Sequence, residues 1–302
     1  MVNSILGSGV IEGEGPVVLR DGTLMLVEMA GSRACVTRVA VDGTVETAIR
    51  VGGRPNGMTI DGNGRLWVAE AREGEIHCYE PDGTLKAVVR HPRGRFLWPN
   101  DLRFGPDGLL YLTDSGILDT VFITGIAINP KWAELDYRGC VYVIDPATAR
   151  VVRRFDDGIQ FTNGLAFGPD DRLYVNETIG GNVYRYDVFV EGEPKRELFG
   201  NVNTPDGPAG WRGPDGMAFG RDGRLYCTVY GQGDVTVLDA QGHVAERMPT
   251  NGLRPTNIAF VDGKPLAYVT EVLNSCVEVL EMPCDGLPPH RPAFDIGRAQ
   301  EH

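Results

Sequence analysis

Apolar residues along this chain recur at every second position in runs of about five or six, and each run is cut short by a turn signature. Leu66 and Val68 fall on one face of such a run, and Leu173 and Val175 on one face of another. A period of two is that of a β-strand, and a Gly-containing turn between two such runs makes a hairpin. The runs join into one recurring phrase: Pro, then Asn or Asp, an apolar strand, an Asp/Gly turn, and a second apolar strand. It reads PNGMTIDGNGRLWVAE from Pro55, PNDLRFGPDGLLYLTD from Pro99, TNGLAFGPDDRLYVNE from Thr162 and PDGMAFGRDGRLYCTV from Pro214. Looser copies are PTNIAFVDGKPLAYVTE from Pro255 and EGPVVLRDGTLMLVEM from Glu14. A further strand pair follows most copies, as in GNVYRYDV and GDVTVLDAQGHVAERM. Six repeats of four strands, roughly fifty residues each, predict an all-β, six-bladed β-propeller occupying residues 1–302 as one domain. A β-sandwich would also show short strands and regular turns, but not six copies of one hairpin. Residues before Glu14 and after Pro283 are expected to complete the last blade by bringing the two ends of the chain together.

Composition narrows the partners. The 40 glycines and 20 prolines are spread through the chain, as many tight turns require. A formal charge of −12 disfavours a nucleic-acid partner, whose phosphates would be repelled. No stretch reaches the ~18 apolar residues of a membrane span, and Met1 to Val10 lacks signal-peptide character, so a cytoplasmic location with no membrane partner is expected. The six cysteines are far apart, with no C-x-x-C pair, and read as small buried hydrophobes. His77, His91, His243, His290 and His302 show no chelating spacing and read as structural or exposed. There is no G-x-S-x-G elbow, H-E-x-x-H helix or P-loop.

In a propeller the first strand of each blade lines the central channel, and the residue just before it emerges at the rim of one face. Here that position is filled by Glu14, Asn56, Asn100, Asn163, Asp215 and Asn257, at spacings of 42, 44, 63, 52 and 42 residues. Taken singly, an Asn or Asp before a strand is a good turn former. Taken as a ring, Glu14, Asn100, Asn163 and Asp215, with Asn56 and Asn257 as further candidates, offer hard oxygen donors and no thiolate. Such a set suits one divalent ion, Ca²⁺ first, with Mg²⁺, Mn²⁺, Zn²⁺ or Fe²⁺ as alternatives.

At these residues the chain resembles the family of regucalcin (senescence marker protein), gluconolactonase and luciferin-regenerating enzyme, with the related drug-responsive lactonase and diisopropylfluorophosphatase. Glu14-Gly15-Pro16 is similar to the family's E-x-P segment, Asn163-Gly164 to its N-G segment, and Asp215 to the Asp of its P-D-G segment. The resemblance implies that Glu14, Asn163 and Asp215 hold the ion, with Asn100 as a fourth ligand or substrate contact. The Y-G-Q-G segment from Tyr230 looks most like the drug-responsive lactonase branch. Where sugar-acid members carry Arg two residues before the Asn, this chain has Trp98.

The resemblance implies a metal-dependent hydrolase that opens a lactone or ester. The departure at Trp98 and the apolar insertion 116–138 point to a substrate less polar than a sugar lactone, and a monomer or homodimer is expected. The ion would polarise the carbonyl and activate water, with Asp215 as first choice of base and Asp101 as second. Alternatives are phosphotriester hydrolysis, with Asp215 as nucleophile, or ligand binding without catalysis. Substrate contacts are expected from Asn100, Trp98 and Tyr230, with Phe161 and Trp211 as further walls. The long insertion 116–138, rich in Val121, Phe122, Ile123, Ile126 and Trp132, reads as a lid over the pocket, or else as a loop packed on a neighbouring blade or a dimer partner.

Overall fold

The computed structural model describes residues 2–124, 127–190 and 192–297; Ile126 and His302 lie outside them. Six four-stranded antiparallel sheets are arranged as the blades of a β-propeller. Blade 1 holds Gly13–Val18, Leu24–Glu28, Cys35–Val39 and Val45–Arg50, from the channel outward. Blades 2 to 5 open with Pro55–Ile60, Pro99–Phe104, Thr162–Phe167 and Gly213–Phe219 in turn. Blade 6 is built from Pro255–Phe260, Leu266–Glu271 and Cys276–Glu281, and its outermost strand is Ser4–Ser8 from the other end of the chain.

Burial follows position in the blade. Innermost strands such as Pro55–Ile60 and Thr162–Phe167 are buried throughout, because neighbouring blades cover both faces. Outermost strands such as Val45–Arg50 are mostly solvated. Six apolar clusters fill the gaps between adjacent sheets. One, for example, joins Trp67, Ile76 and Cys78 of blade 2 to Leu102, Phe104 and Leu112 of blade 3. Another joins Val18, Leu24 and Leu26 of blade 1 to Tyr268 and Val277 of blade 6. Each blade therefore buries both faces of its sheet, and the ring needs no separate central core.

The expectation for the chain ends holds for one end and needs correction at the other. The segment before Glu14 supplies the outer strand of blade 6. The segment after Pro283 joins no blade; it runs as a strap across the lower face of the ring. Leu287 N–H donates to Phe219 O (2.8 Å), Gly62 N–H to Pro292 O (2.8 Å) and Gly297 N–H to Ala147 O (3.0 Å), which ties the strap to blades 5, 2 and 3. Phe294 packs on Trp67 and Phe104. The physical reason is that Ser4–Ser8 already occupies the outer edge of Cys276–Glu281, so that strand has no free edge for the following segment to pair with.

Candidate functional site

All six innermost hairpins break register at the ring position: between Glu14 and Val17, Pro55 and Met58, Pro99 and Leu102, Thr162 and Leu165, Pro214 and Met217, and Pro255 and Asn257. A bulge lifts a side chain out of the alternating pleat and re-aims it. Here it turns the ring residue toward the axis. At Glu14, Asn56, Asn163 and Asp215 the residue that follows is glycine, which lets the neighbouring inner strand come close. A Cβ on Gly164 would collide with Asp215 O, and one on Gly216 with the Asn257 amide. The N-G and D-G dipeptides are thus required by the crowding of six strands around one axis.

Glu14, Asn56, Asn100, Asn163 and Asp215 all line one cavity of about 1210 Å³ at the upper end of the channel. Trp98, Phe161, Trp211 and Tyr230 form its walls. Asp101 and Asn257 do not reach it. They are buried beneath its floor, 1% and 0% exposed.

Hydrogen-bond accounting orients the amides. Ser115 Oγ donates to Thr162 O (2.9 Å) and Thr178 Oγ1 donates to Pro214 O (2.8 Å). A hydroxyl has one proton, so toward the ring each can only accept. Asn100 Nδ2 donates to Ser115 Oγ (2.9 Å) and Asn163 Nδ2 to Thr178 Oγ1 (3.0 Å). Both NH₂ groups therefore face the hydroxyls; Asn163 Oδ1 is left for the cavity side, and Asn100 Oδ1, which accepts from Asn56 Nδ2 (3.3 Å), keeps its second lone pair for it. Asn56 differs, because its Oδ1 accepts from Trp98 Nε1 (3.1 Å) while its Nδ2 braces Asn100 O (3.2 Å). Asn257 turns its Nδ2 to Glu14 Oε2 (2.9 Å) and its Oδ1 to Ile258 N–H (2.9 Å). Oxygens available to a cation from the ring are thus those of Glu14, Asn100, Asn163 and Asp215.

Electrostatics point the same way. Burial, reinforced by the nearby Asp101 charge, pushes the Glu14 carboxyl up to about 8. Burial first, and then the charges of Glu14 and Asp101, hold Asp215 well above the ordinary carboxylate range, with the Asn163 amide opposing. Asp101 is also raised by burial, and Arg103 is the chief opposing influence, its Nη1 donating to Asp101 Oδ1 (2.8 Å). Three carboxylates thus share a dry centre with one guanidinium, an arrangement that a divalent cation would neutralise. Among the described residues no three His, Cys, Asp or Glu side chains form a metal cluster by themselves; a donor set here has to include the two amides.

Sequence reasoning missed Ser115, Thr178, Arg103 and Asn176, whose Nδ2 holds Asp215 O (2.7 Å). The signal for the hydroxyls was present: each lies 15 residues after its Asn, just past the second strand of its blade. A second set of acidic residues ends those strands, and it ties down loops instead of entering the cavity. Glu70 accepts from Arg72 N–H (2.9 Å), Asp114 from Trp98 N–H (2.9 Å) and Glu271 from Arg254 N–H (2.9 Å).

The insertion 116–138 contributes a short helix, Asp119–Phe122, and a small hairpin, Ile123–Thr124 with Ala127–Ile128. Phe122 packs on Trp98 (5.6 Å between ring centres), Phe161 (5.0 Å) and Trp211 (4.7 Å), and Trp132 packs on Trp211 (5.4 Å). Buried Asp119 pairs with Arg72 of blade 2 (2.8 Å), latching the insertion across the mouth. One wall of the cavity is therefore aromatic.

A fold of this kind, with oxygen side chains converging on the axis, defines a six-bladed propeller with a polar centre and an apolar wall. The SMP-30/Gluconolactonase/LRE-like region model matches residues 12–272, and the chain belongs to that family. It is 26% identical to Lactonase drp35 of Staphylococcus haemolyticus over 287 residues, 90% of this chain and 80% of that one. To the gluconolactonase of Zymomonas mobilis it is 26% identical over 247 residues, 75% of this chain and 67% of that one. A solved gluconolactonase structure from Xanthomonas campestris superposes with a TM-score of 0.74 at 27% identity, covering 92% of this chain and 89% of that one.

Proposed function

We propose that this protein is a metal-dependent lactonase acting on lactones less polar than sugar lactones. The observation that carries the reading is the convergence of Glu14, Asn100, Asn163 and Asp215 from four blades on one cavity, with the Asn100 and Asn163 NH₂ groups turned away to Ser115 and Thr178. The relatives named gluconolactonase and lactonase support lactone opening as the reaction. These four residues would hold a divalent ion, and an all-oxygen set favours Ca²⁺. Bound there, the ion supplies a Lewis acid for the lactone carbonyl and lowers the pKa of a water molecule.

Asp215, on the cavity wall, takes the proton of the attacking water as its oxygen bonds to the carbonyl carbon. When the ring C–O bond breaks, Asp215 returns that proton to the leaving alkoxide, and a hydroxy acid results. Asp101, held by Arg103 and Leu102 N–H (2.8 Å) below the floor, acts by positioning. Asn257 links Asp101 to Glu14 and keeps the Glu14 carboxylate aimed at the axis. Trp98 takes the place of the Arg of sugar-acid members, and its indole N–H is occupied by Asn56. Its ring thus offers the substrate an apolar surface.

Proton release over gluconolactone, γ-butyrolactone, δ-nonalactone and γ-phenyl-γ-butyrolactone tests the assignment. The apolar lactones should turn over fastest, EDTA should stop the reaction and Ca²⁺ should restore it. Asp215→Asn should lower kcat at least ~100-fold, the usual scale for a general base, with an unchanged circular dichroism spectrum. Turnover that survives EDTA or the Asp215→Asn change would overturn the mechanism. No turnover on any of the four lactones would move the reading to binding without catalysis.

A further inference from the structure

The channel has a second cavity, of about 370 Å³, at the end opposite the polar ring. Its sides are the inner strands, through Val17, Ile60, Phe104, Phe167, Met217 and Phe260, and its cover is the strap 286–291. Arg291 under the strap, exposed Arg20 at the rim and Arg103, whose guanidinium is turned to Asp101, line this space with the single carboxylate Asp262. In a chain of net charge −12, that concentration of cations runs against the overall balance.

Arg291 is the informative member. Its Nη2 donates to Val18 O (3.0 Å), which fixes the guanidinium under the strap, and its buried Nε has no partner. Neither Arg291 nor Arg20 forms an ion pair among the described residues, whereas Arg33, Arg54, Arg65 and Arg103 all do. Burial weighs against the charge of Arg291, with Asp262 offsetting and Arg20 adding to that effect. A half-buried guanidinium whose nearest carboxylate, Asp262, makes no direct ion pair with it is costly, and a ligand carboxylate is the group whose geometry matches it. The cavity volume lies in the range of small-molecule sites.

We propose that this lower cavity is a second ligand site, taking a small apolar acid: a single carboxylate on a short alkyl or aryl body. The carboxylate meets Arg291, with Arg20 nearby at the rim, and the apolar body lies between the inner strands. Arg103, which holds Asp101, lies between the two cavities, but Arg291 and Ala218 line only the lower one, so substitutions there separate it from the proposed hydrolytic centre.

Isothermal titration with octanoate, in EDTA so that no metal contributes at the upper cavity, tests this. Wild-type protein should bind one octanoate saturably, and 1-octanol at least tenfold more weakly. Arg291→Met should weaken octanoate at least tenfold. Ala218→Leu, which fills the cavity while keeping Arg291, should abolish binding, and Asp215→Asn should leave it unchanged. Absence of saturable heat with the wild type would overturn the proposal. So would binding that survives both Arg291→Met and Ala218→Leu, or binding lost in Asp215→Asn.

Discussion

At the scale of single residues, the site depends on groups that cannot themselves touch a substrate. Each of the two hydroxyls behind the ring gives its proton to a backbone carbonyl of the next blade, so the neighbouring Asn has one way to face. Thr178→Val removes the acceptor for Asn163 Nδ2 and frees that amide to rotate. Ca²⁺ affinity should fall roughly 10- to 100-fold, the usual effect of losing a group that orients a ligand, and Thr178→Ser should restore it. Calorimetric Ca²⁺ titration reads this directly.

Glu14 sets a pH dependence whose sign follows from its raised pKa. In metal-free protein the folded state keeps the proton up to about 8, whereas a free glutamate loses it near 4.5. Between those values the folded form binds more protons than the unfolded form, so stability due to Glu14 is full below 4.5 and lost as pH rises toward 8. Denaturant melts in EDTA should therefore show falling stability across that window. Added Ca²⁺ should flatten the fall, because the ion replaces the proton. A metal-free protein that gains stability from pH 5 to 8 would contradict this assignment of Glu14.

Elements explain what could be read in advance and what could not. The six hairpins and the polar residue at the head of each were legible, because a period of two and a Pro-Asn or Pro-Asp turn are local properties of the chain. The bulges that re-aim those residues were not, since a bulge is a mismatch between two strands and shows only in their pairing. For the same reason the sequence kept Asn56 and Asn257 as further candidates behind Asn100 and Asn163, with no contact to exclude them. The hydroxyls of Ser115 and Thr178, the indole of Trp98, and Ile258 N–H with the Glu14 carboxylate separate the amides that turn oxygen to the cavity from those that do not. The insertion was visible as the 63-residue gap between Asn100 and Asn163, but its docking on Phe161 and Trp211 was not. That docking makes Phe122 the keystone of the aromatic wall. Phe122→Ala should lower kcat/KM for γ-phenyl-γ-butyrolactone about tenfold, as expected for losing one good apolar contact surface, and leave γ-butyrolactone within twofold. Equal losses on both would mean that the insertion supports the catalytic centre and not substrate choice.

For the whole molecule, closure of the ring is the question. Every blade rests on two neighbours, so blade 6 is held inward by Pro255–Phe260 and outward by Ser4–Ser8, paired to Cys276–Glu281 at Ser4, Ile5, Gly7 and Ser8. Leu6 adds packing against the cluster between blades 1 and 6. Deleting residues 2–8 removes those ladder bonds and that side chain, and it exposes the edge of a strand that is otherwise mostly buried. At about 1 kcal/mol for each of a few hydrogen bonds and about 1 kcal/mol for a half-buried leucine, the loss is roughly 3–5 kcal/mol. The urea midpoint should fall accordingly, and the bare edge should promote association at high protein concentration. The inner strands that carry Glu14, Asn163 and Asp215 do not pair with this segment. Turnover per folded molecule should therefore stay within about twofold of wild type in dilute solution, the reverse of the Asp215→Asn pattern of intact fold and lost activity. Ile5→Glu is the matched control: Ile5 is 43% exposed, so the midpoint should barely move. A deletion variant with wild-type stability would mean that the outer strand only decorates blade 6, and that closure resides in the inner strands and the lower strap alone.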